Sequence, residues 1–395
     1  MTTSPARPFD GVLLLSFGGP ERPDDVIPFL RNVTRGRDVP AGRLEAVAGH
    51  YHHFGGRSPI NDQNRALLAA LRAELDTRDL DGLPLYWGNR NWHPFVADAL
   101  AEAAAAGARR LAVLVTSAYP SYSGCRQYRE DLAEALAAPA LAGVTLQLDK
   151  IRNYANHPGF VAPVVDAVVA GLARLPGGGR TGGRVVFVTH SVPTAMDAAA
   201  GPAGGAYTRL HEDVARVVMA EVADRLPGHP AATDHDLVYC SRSGPPAQPW
   251  LEPDVNDHLR ALRTAGSTGV VVVPVGFVSD HMEVAYDLDT EARATAAELG
   301  MAFVRAATVG TDPRFVAALV DLVLERAAAL RGEVPARPAV GALGPGHDLC
   351  PAGCCRNLRG WRPAAAGEPG SEPSAGAPAG APAGPDAAPG PAGAR

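Results

Sequence analysis

The sequence contains a single lysine, Lys150, among its 36 basic residues, so every other one is an arginine. This scarcity excludes a phosphate-binding loop built around a different lysine, and it leaves Lys150 as the only residue able to form a Schiff base. The chain also lacks any uninterrupted apolar run near the roughly 18 residues needed to span a bilayer. Its best stretch, Ala265 to Ser279, contains Pro274 and three glycines. We therefore expect no integral membrane segment.

The chain also has little net charge and few cysteines. The formal net charge of -6 gives no electrostatic reason to bind nucleic acid or an anionic membrane. The N-terminus lacks a basic segment followed by an apolar one, and we expect the protein in the cytoplasm. Five cysteines is an odd number, which in a reducing compartment argues against a disulfide framework and raises the question of metal or cluster ligation.

Short β-branched or leucine-rich runs alternate with amphipathic stretches, an order typical of βαβ units on a parallel sheet. The predicted strands are 12–17, 83–87, 111–117, 144–148, 184–189, 237–240, 269–277 and 301–306. The predicted helices include 64–75, 94–106, 126–137, 158–175, 207–226, 254–265, 282–299 and 313–330. We predict an α/β fold of two doubly wound parallel-sheet lobes, residues 8–155 and 156–332, that enclose a ligand cleft.

The chain beyond residue 332 has a different composition. Residues 333–362 form an extension that contains three of the cysteines. Residues 363–395 are almost entirely Ala, Gly, Pro and Ser, which provides no core-forming side chains. We predict that this tail is disordered.

Ligands bind past the ends of parallel strands, so polar residues that directly follow apolar runs are informative. His190 follows the strand 184–189, where a neutral imidazole could take a proton or bind a metal. The alternative is a histidine that only bonds a backbone group of the loop. Position alone does not separate these two interpretations.

Three carboxylates follow the strand that ends near Phe277. Glu283, Asp287 and Glu291 have i, i+4, i+8 spacing, which on a helix forms one acidic stripe. Like charges at this spacing repel one another, so such a stripe is easier to explain if a divalent cation binds to it. The alternative is that the stripe is an ordinary solvated helix face. Two glycines after the first strand, in Phe17-Gly18-Gly19-Pro20, permit close approach of a ligand but do not match a dinucleotide-binding pattern.

Several longer motifs resemble the ferrochelatase family, in the family's order and over about residues 9–332. They are Leu13-Leu14-Leu15-Ser16-Phe17-Gly18-Gly19-Pro20, His53-Phe54-Gly55-Gly56-Arg57-Ser58-Pro59-Ile60-Asn61, Tyr86-Trp87-Gly88-Asn89-Arg90-Asn91-Trp92, Val188-Thr189-His190-Ser191-Val192-Pro193, Ser241-Arg242-Ser243-Gly244-Pro245-Pro246 and Val275-Gly276-Phe277-Val278-Ser279-Asp280-His281-Met282-Glu283. The resemblance implies two Rossmann-like lobes and insertion of Fe²⁺ into a porphyrin held in the cleft between them.

By the same resemblance, His190 and Glu283 are the paired residues of the metal site. Insertion removes two pyrrole protons while Fe²⁺ approaches one face of the ring, so a base and a ligand must face the ring centre. A neutral His190 can serve as both, and Glu283 can orient it or share the proton. Asp287 and Glu291 then become a path for metal to enter or for protons to leave.

The motifs look most like the coproporphyrin III branch of the family, as found in high-GC Gram-positive bacteria. Four propionates need several cationic or hydroxyl partners, and the arginine fork suits carboxylates. The predicted contacts with propionate or ring are Ser58, Tyr128, Arg57, Arg35, Arg37 and Phe17. Phe17 stands where some relatives carry a tyrosine that can ligate the product iron, and its phenyl ring has no atom that can do so.

Some members of the family bind a [2Fe-2S] cluster through three C-terminal cysteines and one internal cysteine. The corresponding residues here are Cys125, Cys350, Cys354 and Cys355, while Cys240 lies in an apolar strand. Four thiolates are what such a cluster needs. Unligated thiols are the alternative, and the redox-neutral insertion reaction does not require a cluster.

Two other functions stay open at this point. One is the same reaction on protoporphyrin IX. The other is a non-catalytic carrier of tetrapyrrole or metal with the same fold. If coproporphyrin III is the substrate, transient contact with a downstream coproheme decarboxylase is expected.

Overall fold

Two four-stranded sheets, both entirely parallel, form the framework of the protein, seen in a computed structural model that describes residues 4–36, 39–244 and 247–368. The strand order is β2-β1-β3-β4 in the first sheet and β6-β5-β7-β8 in the second. The strands are β1 Gly11–Ser16, β2 Leu85–Asn89, β3 Arg110–Val115, β4 Gln147–Lys150, β5 Gly183–His190, β6 His235–Cys240, β7 Gly269–Val273 and β8 Ala302–Arg305.

Helices connect the strands and cover both faces of each sheet. They are α1 Val26–Val33, α2 Ala41–His53, α3 Ile60–Thr77, α4 Val96–Ala105, α5 Gln127–Leu136, α6 Pro158–Arg174, α7 Thr194–Ala198, α8 Ala206–Arg225, α9 Val255–Thr264, α10 Arg293–Glu298 and α11 Pro313–Leu330. Two further segments, Tyr122–Arg126 and Val284–Ala292, are π-helical. The expected doubly wound α/β architecture is therefore confirmed.

Alternation of side chains along the central strands explains why helices are needed on both faces. In β1, Val12 and Leu14 lie in the largest hydrophobic core, whereas Leu13 and Leu15 lie in a separate core on the other face. Such strands are apolar at every position because both faces are buried. The second sheet follows the same rule in β5 and β7.

The largest core extends through both lobes, and α11 joins them. This helix packs on α6 and α3, with the Phe160 and Phe315 ring centroids 5.9 Å apart. The ion pair between Arg152 and Glu325, 2.7 Å, is buried in the same region. The lobe boundaries at 155 and 156 stay a prediction, since this shared core has no break there.

Three features differ from the sequence expectations. Helices α1 and α2 were not among the predicted segments, although Leu44, Val47 and Tyr51 of α2 have helical spacing. Half of the predicted helix 282–299, the segment Val284–Ala292, is π-helical. These differences concern the elements that surround the candidate site.

The first six residues of the predicted tail belong to the described part of the chain. Residues 363–368 pack against α5, where Ala365 exchanges hydrogen bonds with Arg129, and Glu368 donates its N–H to the carbonyl of Cys350. Ala365 and Ala366 lie on the hydrophobic core below α5. Small residues can dock closely against a helix, which composition alone did not indicate. The rest of the tail, 369–395, lies outside the described residues.

No helix within residues 4–36, 39–244 and 247–368 has both the length and the apolarity required to cross a bilayer.

A buried histidine in the largest core predicts how stability depends on pH. His211 stacks on Tyr119 with centroids 3.5 Å apart, and its Nδ1 bonds the carbonyl of Tyr207. Burial lowers the pKa of His211 to about 3, below the value of about 6.5 in an unfolded chain. Its contribution to stability is therefore present above about pH 6.5 and is lost as pH falls towards 3.

Between pH 7 and pH 5, protonation of this residue in the unfolded chain should cost the folded state about 2 kcal/mol. We expect the free energy of unfolding, measured with urea, to fall by about 2 kcal/mol less in His211→Phe than in the parent over this pH interval. The exposed His52 provides the control, because His52→Phe should keep the parental pH dependence. Equal pH dependence in the parent and His211→Phe would contradict the prediction.

Candidate active site

His190 is the last residue of β5 and lies at the edge where the strands of the second sheet end. Its Nδ1 is 2.5 Å from the carbonyl oxygen of Ser191. Because a carbonyl can only accept a hydrogen bond, Nδ1 carries the proton and the lone pair is left on Nε2. Burial lowers the pKa of His190, so the imidazole is neutral near pH 7.

Packing holds the backbone around His190 in place. The Tyr207 hydroxyl donates to the His190 carbonyl at 2.8 Å and lies 2.7 Å from Thr189 Oγ1. A side chain at Gly276 would collide with Thr189, so glycine is needed for the neighbouring chain to approach this closely. The loop contact considered from the sequence is present, but it involves Nδ1 and leaves Nε2 available.

Glu283 forms an ion pair with His281, whose Nδ1 lies 2.5 Å from the carboxylate. Burial alone would raise the pKa of Glu283, but the charge and hydrogen bond of His281 outweigh burial and lower it to about 2. Burial likewise opposes protonation of His281, yet Glu283 raises its pKa overall. Glu283 is thus an anion near pH 7, and its charge acts on His190.

The acidic stripe lies along the π-helical segment Val284–Ala292 and begins just before it. Asp287 is half-buried and accepts a hydrogen bond from Ser241 Oγ. Burial first, and then the charges of Glu283 and Glu291, raise the pKa of Asp287 to about 7. Partial burial also raises the pKa of Glu291, although this residue is exposed at the far end of the stripe. The stripe therefore connects the interior with solvent.

Backbone irregularity is concentrated at this stripe. π-Helical turns are rare and occur frequently at functional sites. Ser241 adopts a left-handed conformation, φ 62°, which is strained for a residue with a side chain. Its hydroxyl bonds Asp287, so the strained residue contacts the carboxyl group whose pKa is most raised in the stripe.

Helices α1 and α2 cover the stripe from the first lobe. Phe29 of α1 and Tyr51 of α2 are buried in one cluster with Met282, which directly precedes Glu283. His50 stacks on Tyr286 with centroids 3.8 Å apart. Burial, followed by the charges of Glu283 and Asp287, raises the pKa of Tyr51 well above its usual range. The site is therefore built by both lobes.

Phe17 lies in the wall of the same cluster, edge-on to Phe29 at 6.2 Å. The guanidinium of Arg90 lies 5.7 Å from the Phe17 ring centroid and 4.5 Å from that of Tyr128, and Arg90 pairs with Asp131. Tyr128 is buried, so its ring contacts Arg90 and not solvent. Arg90 therefore links two of the predicted substrate residues.

A cavity of about 790 Å³ opens beside Arg90. The residues that line it and matter here are Arg35, Arg90, Asn91, Arg359, Trp361 and Arg362. Arg362 is paired with Glu134 at 2.7 Å, whereas Arg359 has no carboxylate partner within the described chain and lies over the Tyr122 ring. The C-terminal extension thus builds one wall of a cavity that is lined by these four arginines and by three acidic residues, Asp98, Asp131 and Glu134.

The other predicted substrate residues differ in their exposure and in their contacts. Ser58 is buried, and its N–H donates to the carbonyl of Pro20 at 2.9 Å. Arg57 is exposed and forms an ion pair with Asp62 at 2.5 Å. Arg35 is 69% exposed at the cavity, and Arg37 lies outside the described residues.

Four of the five cysteines form one cluster. The Sγ atoms of Cys125 and Cys350 are 3.6 Å apart, and those of Cys354 and Cys355 are 3.8 Å apart. Cys240 lies elsewhere, buried in β6. Within the described residues no group of three or more His, Cys, Asp or Glu side chains is arranged around the position of a metal ion.

Lys150 lies next to this cluster. It is 4% exposed, and its Nζ donates to the carbonyl of Ile151 at 3.2 Å. Burial lowers the pKa of Lys150, but the neighbouring sulfurs outweigh burial and raise it overall.

Comparison with known proteins identifies the family of this chain. The ferrochelatase family model matches residues 9–327. The chain belongs to the ferrochelatase family. It is 58% identical over 370 residues to the coproporphyrin III ferrochelatase of Streptomyces griseus, which covers 91% of this chain and 96% of the relative. It is also 58% identical over 360 residues to the Frankia alni protein of the same name, an alignment that covers 90% of this chain and 89% of the relative. A Rhodopirellula baltica ferrochelatase is 46% identical over 363 residues, covering 92% and 97%.

Within this ferrochelatase-family chain, the structure brings His190 and Glu283 together and places Asp287 and Glu291 behind them. It joins Phe17 and Tyr128 through Arg90, and leaves Ser58 and Arg57 outside that group. The sequence interpretation missed the site roles of His281, Arg90, Ser241 and Tyr51. His281, Arg90 and Ser241 stood inside quoted motifs, and Arg90 and Ser241 directly follow strands, so their positions could have indicated them. The involvement of Tyr51 depends on tertiary packing.

Proposed function

We propose that this protein inserts Fe²⁺ into coproporphyrin III to form coproheme. The observation that carries the proposal is the neutral imidazole of His190 beside the ionised carboxylate of Glu283 at the strand ends of the second lobe. Membership in the ferrochelatase family supports the reaction. The names of the Streptomyces griseus and Frankia alni relatives support coproporphyrin III as the porphyrin.

The reaction exchanges two pyrrole protons for one Fe²⁺ ion, so the site must accept protons without repelling the cation. Nε2 of His190 has a lone pair and no hydrogen-bond partner within the described residues, and it can take a pyrrole proton or contact the metal. Glu283 supplies negative charge, which stabilises both an imidazolium and an arriving cation. His281 fixes the orientation of that carboxylate.

The stripe behind Glu283 provides a route between the site and solvent. Asp287 exists in both protonation states near pH 7, so it can receive and release protons without a large change in free energy. Glu291 is exposed at the end of the route. We assign protons leaving the site, or Fe²⁺ approaching it, to this path.

The arginine-rich cavity suits the carboxylates of the substrate. Arg35 and Arg359 make only weak ion pairs or none within the described chain, which leaves their donors available to propionates. Ser58, Tyr128, Arg57 and Arg37 stay proposed contacts. Phe17 has no group that can ligate iron, so we propose that it packs against the ring.

Assay of both porphyrins tests the choice of substrate. Coproporphyrin III has two propionates where protoporphyrin IX has vinyl groups, and each hydrogen bond to a charged group contributes about 1.5–3 kcal/mol. We expect kcat/KM for iron insertion to be at least about tenfold higher with coproporphyrin III, measured anaerobically in steady state. Equal or faster turnover of protoporphyrin IX would instead identify that porphyrin as the substrate.

We further propose that Cys125, Cys350, Cys354 and Cys355 hold a [2Fe-2S] cluster. Two thiolates on one tetrahedral ion with bonds of about 2.3 Å lie about 3.8 Å apart, close to the spacing of each observed pair. The donor set, four cysteines, also fits. Such a cluster supplies a one-electron redox couple, which insertion does not use. Unligated thiols remain the alternative that experiment must exclude.

Location in the cytoplasm and transient contact with a coproheme decarboxylase stay predictions from the sequence. So does the alternative of a non-catalytic carrier, which differs in its consequences. A carrier would bind porphyrin but would not catalyse metal insertion, and loss of His190 or Glu283 would cost no turnover.

A further inference from the structure

A buried carboxylate of α5 holds the C-terminal extension against the first lobe. Glu130 is buried and accepts hydrogen bonds from the Tyr122 hydroxyl at 3.1 Å and from Arg126 Nε at 3.2 Å. From the extension, Asn357 Nδ2 donates to the same carboxylate at 3.2 Å. A buried charge is stable only where hydrogen bonds and opposite charge compensate it, so this set of contacts favours one arrangement of the extension.

The segment 357–362, which lines the cavity beside Arg90, is attached at both of its ends. Asn357 begins the segment and bonds Glu130 directly. Arg362 ends the segment, and its carbonyl accepts a hydrogen bond from Arg126 at 2.9 Å. Because Arg126 is itself paired with Glu130, loss of the Glu130 charge weakens the attachment at both ends.

Arg359 lies between these two attachments. Its backbone N–H donates to Asn357 Oδ1 at 3.0 Å, and its guanidinium lies 5.6 Å from the centroid of the Tyr122 ring. Asn357 and Tyr122 both bond Glu130, so one carboxylate orders the backbone before Arg359 and the ring beside its side chain. Arg359 has no carboxylate partner within the described residues, whereas Arg362 is paired with Glu134 at 2.7 Å.

The cavity lies next to the proposed position of the porphyrin. Arg90 lines it, and the Arg90 guanidinium is 5.7 Å from the centroid of the Phe17 ring, against which we propose that the porphyrin packs. A propionate leaves the edge of the porphyrin on a flexible two-carbon arm. A guanidinium binds such a carboxylate with two parallel hydrogen bonds, provided that its position is fixed.

We infer that Glu130 is a positioning residue for the porphyrin: it fixes the segment 357–362 so that Arg359 binds a propionate of the substrate. The inference rests on the proposed function, which supplies the porphyrin carboxylates. Glu130 does not line the cavity, so its effect on the substrate passes through the extension.

The first test is anaerobic steady-state insertion of Fe²⁺ into coproporphyrin III by the full-length protein. Glu130→Gln keeps the shape of the side chain and removes its charge. We expect KM for the porphyrin to rise about tenfold, the scale of losing one hydrogen bond to a charged group. We expect kcat to stay within about twofold of the parent, because His190 and Glu283 are unchanged.

A double variant separates positioning from a general loss of stability. If Glu130 acts through Arg359, then Glu130→Gln combined with Arg359→Gln should raise KM by less than about twofold beyond Arg359→Gln alone. Multiplication of the two single effects would overturn the inference. Hydrogen exchange gives a second readout: amides of residues 357–365 should exchange at least about tenfold faster in Glu130→Gln, while those of β5 stay protected.

Glu74→Gln is the matched control. Glu74 pairs with Arg78 four residues along α3, as Glu130 pairs with Arg126 four residues away, but it does not line or anchor the cavity. This variant should keep the parental KM and the parental exchange of residues 357–365.

A second variant covers the case in which Glu130→Gln does not fold. Asn357→Ala removes the contact from the side of the extension and leaves the buried pair in place, and it should also raise KM. An unchanged KM in the variant that folds overturns the inference and leaves the proposed function intact. A parent that does not insert iron into coproporphyrin III overturns the proposed function, and the inference with it.

Discussion

Replacing His190 with alanine is expected to lower the turnover of iron insertion by at least about a hundredfold, the scale of losing a positioned acid–base group. The variant removes Nε2, the atom that can take a pyrrole proton, while the strand remains. Tyr207 bonds the backbone carbonyl of residue 190, so the strand end should keep its conformation. The measurement is anaerobic steady-state kinetics with Fe²⁺ and coproporphyrin III.

Two comparisons make the result specific. His52→Ala removes an exposed histidine outside the site and should leave turnover within about twofold of the parent. Glu283→Ala should match the loss seen for His190→Ala, since it removes the carboxylate that stabilises the charged imidazole. Porphyrin affinity measured by fluorescence quenching should change little in either variant. Full turnover in His190→Ala would contradict the proposed mechanism. A parent protein without turnover would favour the alternative of a non-catalytic carrier.

The second large effect concerns colour. Protein purified anaerobically should be reddish-brown without added porphyrin, and Cys354→Ser should abolish this absorption, because a cluster requires four thiolates. Visible spectra together with iron and sulfide analysis provide the measurement. Cys240→Ser is the matched control: Cys240 is equally buried but lies in β6, away from the four clustered sulfurs, and should retain the colour. A colourless, iron-free parent would show that the cysteines are unligated.

The strand and helix order could be predicted because each central strand carries its own signal. All eight predicted strands overlap strands of the structure, since runs such as 270–273 are apolar at consecutive positions and are buried on both sides. Residue periodicity is a local property and requires no knowledge of partners. The doubly wound fold followed from the alternation of these strands with helices.

Local signals were weaker around the site. The segment 284–292 has the spacing of an ordinary amphipathic helix, and nothing in its sequence indicated π-helical turns. Helix α2 has a sparse apolar face, and it is stabilised by contact with Met282 and Tyr286 from the other lobe. Residues 363–368 have a composition typical of disorder, yet they dock on α5. The last two exceptions depend on partners that are distant in sequence.

The sequence by itself determined the fold class, the family and the two residues proposed for the chemistry, because strand periodicity and contiguous motifs are recorded in short stretches of chain. Only the tertiary structure decided the ionisation of Glu283 and Asp287, since desolvation and neighbouring charges come from packing. It also decided that Cys125 meets Cys350, 225 residues away.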